Sequence, residues 1–104
     1  MMIDVEELTI TNISQKYWNK TGIDITFKLN NEWFELHVRK DKEGVFHPDE
    51  IYHLSGITPD CTYCDGYKVE CSELRKYKKD FFERLIQMPS IRLQWLYLPH
   101  AVQA

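Results

Sequence analysis

The stretch Ile23-Asp24-Ile25-Thr26-Phe27-Lys28-Leu29-Asn30-Asn31-Glu32-Trp33-Phe34-Glu35-Leu36-His37-Val38-Arg39 decides the fold. Apolar residues alternate with polar ones at Ile23, Ile25, Phe27 and Leu29, and again at Phe34, Leu36 and Val38. That period of two belongs to strands with one face buried. Asn30-Asn31 sits between the two runs, and asparagine tolerates the positive φ that a two-residue hairpin turn needs. The turn fixes the register: Phe27 faces Phe34, Ile25 faces Leu36 and Ile23 faces Val38, so both apolar sets fall on one side of the ladder.

Working outward toward the N-terminus, a strand ending at Tyr17, joined by a loop from Trp18 to Gly22, places Tyr17 opposite Ile23, Gln15 opposite Ile25 and Ile13 opposite Phe27. The other face then carries Asn12, Ser14, Lys16, Asp24, Thr26, Lys28, Trp33, Glu35, His37 and Arg39. Such a face suits water, so the sheet is expected to be covered on one side only. The cover is the segment from Cys71 to Met88, where Leu74, Tyr77, Phe81, Leu85 and Met88 recur at spacings of three and four, and Pro89 closes it. Asp41 to Gly44 reads as a turn, and His47 to Leu54 as a segment with one helical turn opened by Pro48. Residues 55–66 read as a loop. Ile91, Leu93, Trp95 and Tyr97 alternate as another strand, with a short buried helix as the competing reading. The expected architecture is one α+β domain over residues 1–104, an antiparallel meander of three or more strands under a long helix in the C-terminal half.

The chain has 104 residues and a net charge of −3. That charge gives no whole-molecule attraction to phosphate backbones or anionic lipid, and it favours a basic partner. The N-terminus, Met1-Met2-Ile3-Asp4, lacks the basic and apolar regions of a secretory signal, and no stretch is long enough to span a bilayer. A cytoplasmic location without membrane contact is expected. The three cysteines lie within eleven residues, an arrangement that suits thiols or a metal better than a disulfide framework.

Cys61-Thr62-Tyr63-Cys64 and Cys71, with His53 as the nearest histidine, spell a possible Cys3His site for one structural zinc. The competing reading places Cys71 on the apolar stripe of the helix, with Cys61 and Cys64 as ordinary loop thiols. His47-Pro48-Asp49-Glu50 and Pro59-Asp60-Cys61 echo the H-x-E and P-C-x-x-C of zinc deaminases. The glutamate stands one residue too far, however, and an extra residue precedes the first cysteine. No other catalytic motif is present, so the chain reads as non-catalytic.

Arg75, Lys76 and Lys79 around Tyr77 suggest phosphate contacts. Lys76 with Asp80, Lys79 with Glu83 and Asp80 with Arg84 would instead neutralise that face. Trp33 lies on the polar face opposite Lys28, and Trp18 at a loop tip. Together with Glu35, His37 and Arg39 they make a candidate protein-binding surface. Two functions follow. The first is a protein-binding module of the inhibitor, immunity or phage-encoded host-modulating type. The alternative is a zinc-stabilised accessory module that contacts nucleic acid through Arg75, Lys76 and Lys79.

Overall fold

In the computed structural model, which describes residues 3–19, 22–29, 31–54, 63, 70–88 and 91, four strands form one antiparallel sheet in sequence order. They are β1 (Thr11–Asn19), β2 (Gly22–Leu29), β3 (Glu32–Lys40) and β4 (Phe46–His53). A 3-10 turn at Val5–Glu7 precedes them. A second 3-10 turn at Leu74–Tyr77 leads directly into α1 (Lys78–Leu85), the one α-helix among the described residues. The architecture is α+β.

The central hairpin has the register that its alternation dictates. Ile23 pairs with Val38, Ile25 with Leu36 and Phe27 with Phe34, and Asn31 takes the left-handed conformation of the turn at φ 65°. Gly22 opens β2 because a Cβ there would stand 2.4 Å from the Val38 carbonyl oxygen, closer than any side chain can sit. On β1, Gln15 pairs with Ile25 and Tyr17 with Ile23, as expected. The strand runs further than its sequence suggests, through Trp18 to Asn19, with one bulge between Tyr17 and Asn19 and another between Thr11 and Ser14. Asn12 in the latter has φ 53°, a conformation that asparagine accepts better than most residues.

Two expectations are corrected. His47 to Leu54 holds a strand rather than a helical turn, because Pro48 sits on an edge strand beside a bulge, where its missing N–H removes no needed ladder bond. The long helix expected from Cys71 is α-helical only from Lys78. Upstream, the Cys71 N–H is committed to the Ile51 carbonyl at 2.9 Å, and the Leu74 N–H donates to Cys71 Sγ at 3.5 Å. These bonds tie the segment to β4 and tighten the first turn into 3-10 form. The strand expected near residues 91–98 lies, apart from Ile91, outside the described residues.

The apolar faces of β2, β3 and β4 meet Val5, Cys71, Leu74, Phe81 and Leu85 in one continuous core. Phe27 stacks on both Phe34 and Phe81, with ring centroids 5.9 and 5.4 Å apart, so one aromatic column links sheet to helix. Arg84 fastens the N-terminal turn by donating to the carbonyls of Val5 and Leu8, and the Ile3 N–H donates to the Tyr77 hydroxyl at 3.2 Å. Among the described residues, α1 and both 3-10 turns lie on the apolar side of the sheet. The opposite face belongs to β-strand polar positions.

Candidate functional site on the polar sheet face

Strand alternation sends Trp33, Glu35, His37 and Arg39 of β3 to the polar face, as expected for a candidate binding surface. Lys28 Nζ stands 5.4 Å from the Trp33 ring centroid, a cation–π contact across the register pair Lys28 and Trp33. Trp18 belongs to β1 rather than to a loop tip, and its side chain is outside the described residues.

Chemistry concentrates around His37. Asp24 is its direct cross-strand partner, and Glu35 lies two residues earlier on the same face. His37 Nε2 is 2.7 Å from Glu35 Oε1 and 3.3 Å from Asp24 Oδ1. With the ring nitrogen hydrogen-bonded to Glu35, Asp24 Oδ1 is shut away from water and has no hydrogen-bond donor. An acceptor in that condition has lost its hydration without replacement, which gives it a strong demand for a cation or donor. Tyr52 covers the other flank of the imidazole, at 4.4 Å between ring centroids. The β3–β4 register slips at this point, so that Asp49 and Glu50 together oppose His37.

A second pair of acids borders the first. The bridge between Tyr52 and Glu70 brings Glu70 alongside β4, where Glu50 and Glu70 share a hydrogen bond. Burial, then that bond and the charge of Glu70, raise the Glu50 pKa above its usual 4.5. Glu70 moves the other way, held in its charged form by Glu50 and Arg75. Tyr52 is pushed above 10.0 by burial first and then by the charges of Glu50, Asp49, Glu70 and Asp24. Negative potential therefore gathers at the β3–β4 end of the face.

The other expected sites have defined places. His53 is buried on the inner face, its ring 5.5 Å from that of Phe34, and Cys71 is fully buried on the same side. Cys61 and Cys64 lie outside the described residues. Among the described residues, Asp24, Glu35 and His37 are the group of metal-ligating side chains whose donor atoms all fall within 4.8 Å of one another. In the basic cluster, Arg75 pairs with Glu70, and Lys76 with Glu73 at 3.0 Å. The expected Lys76–Asp80 pairing gives way to an i,i+3 contact because this turn is 3-10, and Arg84 serves backbone carbonyls instead of Asp80. Lys79 is exposed on α1.

The Asp24–His37 pairing is readable from the hairpin register, but its use with Glu35 as a three-donor set was missed. Glu50, Tyr52 and Glu70 were missed because residues 47–54 do not read as a strand. No family model, curated protein or solved structure matches the chain. Among the described residues, no helix is long and apolar enough to cross a membrane.

Proposed function

We propose that the protein is a non-catalytic binding module that docks a basic, arginine-bearing segment of a partner protein on the polar face of its sheet. One observation carries this reading: Trp33 and Tyr52 are diagonal neighbours on that face, beside Glu35, Glu50 and Glu70. A guanidinium stacks on aromatic faces and pairs with carboxylates in the same pose, so this juxtaposition selects arginine over neutral partners. Glu50 Oε2, buried with no hydrogen-bond partner, is an acceptor that such a group would satisfy. The net charge of −3 adds long-range attraction for the same class of partner. A module that works by occupying its partner in this way fits inhibitory or immunity roles.

The test is capture of a partner by immobilised protein, followed by a binding titration of the identified partner against variants. Binding is expected to weaken as salt is raised, and Trp33→Ala to weaken it at least tenfold, whereas Lys76→Glu with Lys79→Glu leaves it unchanged. The reverse pattern, or capture of nucleic acid that depends on Lys76 and Lys79, would replace this reading with the basic-helix alternative.

A further inference from the structure

Beyond the docking surface, we propose that Asp24, Glu35 and His37 form a binding site for one zinc ion on the polar face of the sheet. The donor set is two carboxylates and one imidazole, a combination that zinc accepts with bonds of about 2.0 to 2.2 Å and that leaves further positions for water. Donors around a tetrahedral ion at those lengths stand roughly 3.4 Å apart. The three donor atoms already lie within 4.8 Å of one another, and the His37–Asp24 separation is 3.3 Å. Small side-chain rotations close the set on an ion, and the backbone need not move.

Rigidity beneath the site supports this. Asp24 and Glu35 alternate with Ile23, Ile25, Phe34 and Leu36, all at 0% exposure, so the two strands that carry the donors are pinned by the core. Sites on paired strands hold their donors more precisely than sites on loops. The second, independent observation is Asp24 Oδ1, out of contact with water and with no donor of its own. His37 Nε2 stands closer to Glu35 Oε1, at 2.7 Å, than to Asp24 Oδ1, at 3.3 Å. An ion between the three groups would satisfy this oxygen and displace the proton shared by His37 Nε2 and Glu35 to solvent, so that their hydrogen bond gives way to two coordination bonds. The Tyr52 ring against the imidazole restricts its rotation.

Glu35 borders both surfaces, but Asp24 and His37 serve the ion and Trp33 the docked partner, so each reading can fail alone. The experiment is titration of chelator-stripped protein with zinc chloride at pH 7.5, carried past three equivalents so that any uptake by thiols is also filled, while histidine ring nitrogens are followed by long-range proton–nitrogen NMR. The His37 ring resonances are expected to shift within these equivalents while those of His47, hydrogen-bonded to Asp41 at 2.7 Å, hold still. Asp24→Asn, checked for native circular dichroism, is expected to weaken the zinc affinity read at His37 at least tenfold, and Trp33→Ala to leave it intact. A His37 ring that stays unshifted throughout overturns the proposal, and so does a shift that Asp24→Asn does not weaken. The wild-type spectrum is decisive even if a variant fails to fold.

Discussion

Glu50 carries a carboxyl oxygen that the fold has removed from water without supplying a donor, and its proton is held more tightly in the folded chain than in the unfolded one. The sign of the linkage follows. With respect to this group the folded state is favoured most at acid pH, and the advantage is lost as pH rises from about 4.5 through the higher folded value. Glutamine keeps a donor toward Glu70 without needing a proton. Glu50→Gln should therefore melt at a higher temperature than the parent at pH 7.5 and at the same temperature at pH 4, read by circular dichroism. A lower melting temperature at pH 7.5 would mean that an ionised Glu50 supports Arg75 and Lys78. Residue-level legibility divides along the same line. The Asp24–His37 contact could be read from an unambiguous alternation and a two-residue turn. Glu50 and Tyr52 could not, because a proline and a bulge break the period that would have placed them.

At the scale of elements, the hairpin of β2 and β3 was fully legible because each of its apolar residues has one register that buries it. The helix was legible in position but not in extent, since Cys71 to Tyr77 has helical spacing while the Cys71 N–H is drawn to Ile51 of β4 and the Leu74 N–H to Cys71 Sγ. From sequence Arg84 reads as a partner of Asp80, because its actual partners are backbone carbonyls of Val5 and Leu8, which no residue pattern announces. Arg84→Met keeps the helix-forming stem and removes both bonds. Hydrogen bonds from a charged donor contribute about 1.5 to 3 kcal/mol, an upper range for a group that is partly exposed. The expected result is faster amide exchange at Glu7 and Leu8, whose N–H groups close the N-terminal turn, with exchange in β2 and β3 unchanged. Uniformly faster exchange across the sheet would show that the N-terminal turn is part of the global folding unit.

Across the whole molecule, the column Phe34, Phe27 and Phe81 is the mechanical link between the sheet and its helical cover. Phe81→Ala is expected to cost about 3 to 5 kcal/mol, a large share of the roughly 5 to 15 kcal/mol that holds small domains together. In urea denaturation the midpoint should fall steeply while the slope stays constant; a reduced slope would indicate that the sheet persists after the helix has come away.

The bulged β1 strand has one more consequence. As the edge of the sheet it could serve as a template on which further chains stack, the route by which sheets grow into fibrils. Irregularities at Asn12 and at Trp18 leave only Ser14 to Tyr17 in unbroken register, shorter than the five or six residues of a typical strand. At the far edge, Glu70 and Cys71 already occupy part of β4. Among the described residues, neither border offers an incoming strand a full-length run of backbone partners, and this protects a concentrated solution of the protein against ordered aggregation.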